Sequence, residues 1–250
     1  MTKIVTLHPL DEGIVQLKFD DPEQDNRFTD AFVDQFLTAL STCAKDPSLK
    51  VLLLTGRHDV FAGGASLEVL QQLLRGDTEV KDLLLPVQLL NFPVPVIAAM
   101  TGHAVGGGLL MALCCDITIA AEDSRYGVNF TGLGFTPGMG TTSLLPALVG
   151  HCFANEMIFT AKLYKGREFK GRGLFNHVVA KDDVLNMALD IARSIAEKPR
   201  HVLELLKNTL ALPRRQALQE AMSCEHLMHT ICFNHPVTTS IINEMYVTDF

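Results

Sequence analysis

Val94-Pro95-Val96-Ile97-Ala98-Ala99-Met100-Thr101-Gly102-His103-Ala104-Val105-Gly106-Gly107-Gly108 holds the clearest mark of the fold in the chain. Val94 to Met100 is a continuous apolar run, which suits a strand buried on both faces. Thr101 to Gly108 is a glycine-rich turn, and Leu109 to Cys115 reads as an apolar helix opening from it. Asp116 to Ala120 is the next strand. Upstream, Val51-Leu52-Leu53-Leu54-Thr55-Gly56 repeats the buried-strand pattern. Phe61-Ala62-Gly63-Gly64-Ala65-Ser66 then forms a small-residue loop, with a helix to about Leu74. Strand, loop, helix and strand in alternation indicate an α/β fold around a buried sheet.

Further out, Ile14 to Phe19 reads as a strand that ends at the turn residues Asp20-Asp21-Pro22. Apolar residues at 28, 32, 33, 36, 37 and 40 predict a helix from Phe28 to Ala44. A second helix is predicted from Val80 to Leu90, after the break at Arg75-Gly76-Asp77-Thr78-Glu79. Gly134 to Gly140 is loop, Thr141 to Val149 is helical, and Thr160 to Val179 is mixed. From Asp182 onward the reading is helical, with interruptions expected at Pro199, Pro213 and Pro236. The division is a β/α core over residues 1–190 and a helical part over 191–250.

At 250 residues and 27.4 kDa the chain is one large domain, or a domain with a small appendage. Hydrophobic residues make up 48%, charged residues 20%, and the mean hydropathy is +0.21, enough apolar material to exclude disorder. Acidic residues outnumber basic ones 28 to 21, so the formal charge of −7 opposes general binding to nucleic acid or an anionic membrane. Tryptophan is absent and tyrosines number three, which leaves little for stacking on bases. The six cysteines show no CxxC pair and read as reduced thiols of a cytoplasmic protein. Met1 to Gly13 lacks an apolar signal core, and no apolar run is long enough for a membrane span.

Glycines at a strand-to-helix turn let another group approach the backbone, and free N–H groups there attract negative charge. Three readings of Gly106-Gly107-Gly108 stand side by side: tight packing, a phosphate cradle, and an oxyanion hole. The cradle lacks both GxGxxG and GxxxxGK[ST]. The oxyanion hole needs a second donor, which the Phe61–Ala65 loop is able to supply. The order Phe61–Ala65, Pro95–Gly108, Cys115-Asp116 and Gly134–Gly140 resembles the crotonase (enoyl-CoA hydratase/isomerase) superfamily over nearly the whole chain. The resemblance implies a spiral of ββα units with a helical C-terminal region that mediates trimers. It also implies an oxyanion hole for a thioester carbonyl, with the backbone N–H groups of Ala65 and Gly107 as donors. Loss of one such donor costs on the order of 3 kcal/mol of transition-state stabilisation.

Two departures narrow the function. Hydratases of this family carry glutamates that activate water, and the matching positions here are Leu110 and Phe130. Neither takes a proton from water. Tyr126 to Gly140, and His226-Leu227-Met228-His229 followed by Phe233-Asn234-His235, resemble the decarboxylating members found in polyketide β-methyl-branching cassettes. Those members convert a 3-methylglutaconyl thioester on an acyl carrier protein to a 3-methylcrotonyl thioester. By resemblance, His229 returns the proton and Lys81 orients the substrate carboxylate, with His235 as the alternative to His229. Leu110 and Phe130 line a dry pocket. Glu225 lies one helical turn before His229, where the two can interact.

No cofactor and no metal is expected; His226, His229 and His235 lack accompanying ligands. Ser66 belongs to no readable Ser-His-Asp arrangement. Pro199-Arg200, Lys207, Arg214 and Arg215 form a basic stretch, read as a solvated face or as a dock for an acidic carrier or nucleotide phosphates. The expected partners are a carrier-tethered or CoA-tethered acyl thioester, the acyl carrier protein of a polyketide synthase, and further copies of the chain as a trimer or dimer of trimers. Two alternatives remain: a hydratase or isomerase acting on CoA thioesters, and a non-catalytic subunit that binds acyl thioesters.

Overall fold

The computed structural model describes residues 2–77 and 84–246. Lys81 and the first residues of the helix predicted from Val80 lie outside these; the described helix there, α3, runs Leu85–Leu90.

The chain builds two sheets in alternation. Strands β1 (Val5–Asp11) and β2 (Ile14–Phe19) form an antiparallel hairpin, and β2 pairs in parallel with β3 (Val51–Thr55). After β3 the chain crosses to the second sheet as β4 (Val60–Ala62), then forms α2 (Leu67–Arg75) and α3. It returns as β5 (Val96–Met100) beside β3, crosses again as β6 (His103–Val105) beside β4, and forms α4 (Gly107–Leu113). A third turn gives β7 (Ile117–Ala121) beside β5 and β8 (Arg125–Gly127) beside β6. This is the expected ββα spiral: each turn lays one strand in each sheet. β9 (Tyr164–Lys165) and β10 (His177–Val179) complete sheets ordered β4-β6-β8-β9 and β1-β2-β3-β5-β7-β10.

Helix α1 (Asp30–Ala44) starts two residues later than the apolar stripe predicts, because Thr29 caps it by accepting from the Phe32 N–H at 3.2 Å. The stripe still decides the buried face: Phe32, Phe36 and Leu40 pack with Phe19, Phe28 and Phe61. The opposite face of the large sheet is covered by α6 (Val184–Ala196), which lays Val184, Ala188, Ala192 and Ala196 on Val51, Leu53, Ile97 and Ile119. Residue 190, the expected boundary, thus falls within a helix packed on the core.

Helix α5 (Thr141–Thr160) continues past the predicted end at Val149, with a break at Gly150. Pro213 does not interrupt α7 (Arg200–Phe233). A mid-helix proline removes one N–H bond, but contacts to the core hold α7 on both sides of it. Lys207, buried, bonds both Asp116 carboxylate oxygens at 2.8 and 2.7 Å and the Leu89 carbonyl at 3.2 Å. Arg214 donates to the carbonyls of Leu113 and Cys115. Pro199 and Pro236 do mark helix starts, at α7 and at α8 (Pro236–Met245). Among the described residues no helix is long and apolar enough to cross a membrane.

Candidate active site

The two small-residue loops meet. The Phe28 N–H donates to the Gly64 carbonyl at 2.7 Å, in an isolated parallel bridge between Phe28 and Ala65. A trans peptide is planar, with N–H and C=O pointing in opposite directions. The Ala65 N–H therefore points away from Phe28. On the other loop, the Gly106 carbonyl accepts from Leu109 and Leu110 at 3.1 and 3.2 Å, so the Gly107 N–H points out of the helix start. Among the described residues neither amide has an acceptor. Gly64, at φ +79°, makes the approach possible: a Cβ there would lie 2.8 Å from the Val105 oxygen and 3.3 Å from the Gly107 nitrogen. Gly106, at φ +56°, turns the chain from β6 into α4.

Ala65 and Gly107 border a cavity of about 30 Å³, together with Phe28, Leu70, Phe130, Phe135, Met139 and His229. The structure thus brings Ala65, Gly107, Phe130 and His229 together. Leu110 is fully buried in the core but is not among the lining residues. His235 is exposed and caps α8, its Nδ1 accepting from the Val237 N–H at 3.3 Å. Ser66 is likewise a cap, for α2, accepting from the Val69 N–H at 3.2 Å.

His229 comes from the buried face of α7, packed edge-on to Phe135 and Phe233. Its Nε2 lies 2.7 Å from the Thr136 carbonyl. A carbonyl only accepts, so Nε2 carries a proton. Burial pushes the ring below the ordinary histidine value, and the carbonyls of Thr136 and Pro137 pull it back up. Glu225 does not partner His229, although one turn separates them. Its carboxylate accepts instead from the N–H groups of Gly140 and Thr142 at 2.8 and 2.9 Å, and from the Thr142 hydroxyl at 2.7 Å. The unsatisfied amides at the start of α5 outcompete a histidine already bonded elsewhere. Burial raises the Glu225 carboxyl above the usual value against these three donors.

The basic stretch is not an open face. Besides the bonds of Lys207 and Arg214, Arg200 pairs with Glu204 at 2.8 Å and donates to the Asp46 carbonyl. Arg215 donates to Asn91 at 3.1 Å and to the Asn208 carbonyl at 2.7 Å. These donors are matched within the chain, but the acceptors of Arg214 and Arg215 are neutral and leave the charge of both in place. Burial pushes the Cys114 thiol up to about 12, so that side chain behaves as a small apolar group.

Four contributors escape sequence reading: Phe28 as a strand-like clamp, Met139 as a cavity wall, Glu225 as a helix cap, and Tyr246. The Tyr246 hydroxyl donates to the Ala65 carbonyl at 2.7 Å. Only Phe28 left a signal, the Thr29-Asp30 pair that marks a helix start just after it.

The family profile described as enoyl-CoA hydratase/isomerase matches residues 10–245. The chain belongs to this family. Among curated crotonase-family proteins, it is 36% identical over 243 residues to the bacillaene synthase decarboxylase PksI of Bacillus subtilis, covering 97% of this chain and 98% of PksI. It is 32% identical to the mitochondrial enoyl-CoA hydratase domain-containing protein 2 of Bos taurus, covering 91% and 78%. A solved structure from a dehydratase/decarboxylase enzyme couple of polyketide β-branching superposes with a TM-score of 0.94 at 36% identity, covering 97% of this chain and 99% of that one. The ECH2 decarboxylase domain of CurF from Lyngbya majuscula gives 0.91 at 36% identity, covering 98% and 100%. Within the family, then, the chain stands with decarboxylases.

Proposed function

We propose that this crotonase-family chain removes CO₂ from a 3-methylglutaconyl thioester held on an acyl carrier protein, forming the 3-methylcrotonyl thioester of polyketide β-branching. The observation that carries the reading is one cavity bordered by two acceptor-free amides, an apolar wall and a histidine, with no carboxylate among its described lining residues. The thioester oxygen sits against the N–H groups of Ala65 and Gly107. The bond from the γ-carbon to the carboxylate breaks, CO₂ departs, and the electron pair spreads through the alkene to that oxygen as a dienolate. Preorganised amides hold this charge without reorganising, the largest single contribution such sites make. The dienolate collapses as His229 returns a proton to carbon.

Phe130, with Leu110 buried behind the Gly107 turn, stands where hydration needs a base, and both keep water from being activated. Lys81 orients the departing carboxylate. The acyl chain needs more room than the present cavity, and the thioether of Met139 is the wall best suited to move. Exposed apolar side chains on the outer face of α7, among them Leu205, Leu210 and Ile231 at 67, 70 and 73%, support assembly as a trimer.

Mass spectrometry of a 3-methylglutaconyl-loaded carrier incubated with the protein tests the reading. Loss of CO₂ is expected, and Lys81→Ala should lose most of that turnover. A gain of water would make the chain a hydratase, and an unchanged carrier would make it a binding subunit; either overturns the proposal.

A further inference from the structure

We infer that Tyr246 is a positioning residue that aims the Ala65 amide at the thioester oxygen. The inference rests on the oxyanion role given above to Ala65. Two carbonyls flank Ala65 in the chain, and each has its own anchor. The Gly64 carbonyl accepts the Phe28 N–H at 2.7 Å, and the Ala65 carbonyl accepts the Tyr246 hydroxyl at 2.7 Å. The first bond sets the plane of the peptide that contains the Ala65 N–H. The second sets the plane of the next peptide. Because each peptide is rigid, fixing both planes leaves Ala65 no free rotation about its φ and ψ. With the second anchor gone, the Ala65 N–H rocks about the first.

Tyr246 is itself held from three directions. The Arg27 guanidinium lies 5.5 Å from its ring centroid, beside Asp25 at 4.0 Å. Helix α8, which ends just before it, is docked by the fully buried Ile242 and by the Thr238 hydroxyl, which donates to the Gly134 carbonyl at 2.7 Å. Asn243 accepts from the Gln71 side chain of α2 at 3.3 Å. Burial raises the Tyr246 phenol above its ordinary value, so it remains a donor across the working pH range. The bond spans 181 residues and links the end of the described chain to the loop that carries the first amide.

Charge on the thioester oxygen grows toward the transition state, so a misaimed amide lowers kcat more than it raises KM. Tyr246→Phe removes the hydroxyl and keeps the ring under Arg27. Loss of one hydrogen bond to a neutral acceptor corresponds to about a tenfold fall in kcat, with KM expected within about twofold of wild type. A second measurement reads the amide directly. The infrared carbonyl stretch of an isotope-labelled crotonyl-pantetheine thioester, which has no carboxylate to lose, should shift to lower frequency in the wild-type pocket and shift less in Tyr246→Phe. Ser240→Ala serves as the control: it removes an exposed hydrogen bond within α8, to Glu244 at 2.8 Å, that touches neither Tyr246 nor the loops, and it should match wild type in both readouts. Wild-type kcat and carbonyl shift in Tyr246→Phe would overturn the inference, as would equal losses in both variants. If the wild-type protein itself leaves the probe's carbonyl unshifted, the oxyanion assignment fails instead.

Discussion

Gly64→Ala is the sharpest test of how the two loops make one site. The residue sits at φ +79°, where an L side chain costs about 1–2 kcal/mol. Its new Cβ would press on the Val105 oxygen at 2.8 Å and on the Gly107 nitrogen at 3.3 Å, both of them backbone atoms that no rotamer change moves aside. The loops must separate by several tenths of an ångström. Separation splays the Ala65 and Gly107 amides, and one misplaced oxyanion donor costs about 10²–10³ in kcat. Strain alone lowers stability by about 1–2 kcal/mol, or roughly 2–8 °C in Tm for a chain of this size. Gly171→Ala separates the two effects: Gly171 has φ +76° and nothing within 4 Å of its Cβ position. It should lose a similar few degrees and retain full decarboxylation of the carrier thioester. Melting curves and steady-state CO₂ release on both variants decide the matter. Near-normal kcat in Gly64→Ala, or equal kcat losses in both, would show that the two loops need not be in register for the site to work.

If the His229 imidazolium returns the proton, its lowered pKa places the loss of activity below the ordinary histidine value of 6.5. The kcat should fall as pH rises through that depressed value, and a flat profile over about pH 5–8 would remove the role. Glu225→Gln keeps one acceptor but turns an NH₂ group toward the donor at Gly140 or at Thr142; it should cost about 1–3 kcal/mol by denaturant titration. Lys207→Met leaves the Asp116 carboxylate without its buried partner and should destabilise by about 3–5 kcal/mol. Restoration of stability in Lys207→Met/Asp116→Asn would confirm that the unpaired charge, not lost packing, is the cause.

The spiral was legible because each of its turns has a local signature. Val51–Leu54 and Val96–Met100 are runs with no polar side chain to misplace, and glycines mark where each hands on to the next element. The edge strand β1 has no such signature: Pro9 interrupts its pattern, as edge strands tolerate, and the register shifts between Pro9 and Asp11. Pro213 misled for the opposite reason, since the contacts that carry α7 past it reach residues about 100 positions away in sequence, such as Asp116 and Cys115. The site divides in the same way. Ala65, Gly107, Phe130 and His229 stand in recognisable motifs. Glu225 caps a helix 83 residues earlier, and Tyr246 bonds a loop far upstream; no periodicity encodes either.

Glu225 and His229 grip the two ends of a single loop, Thr136 to Thr142, from adjacent turns of one helix. Between those grips lies Met139, a non-glycine residue at φ +60°. The span is therefore a short bridge moored at both abutments to α7, with its tensed keystone facing the cavity. Any tilt of α7, whether from binding another molecule on its leucine-rich outer side or from a change of charge on either mooring, is transmitted to that keystone and so to the room an acyl group finds beneath it.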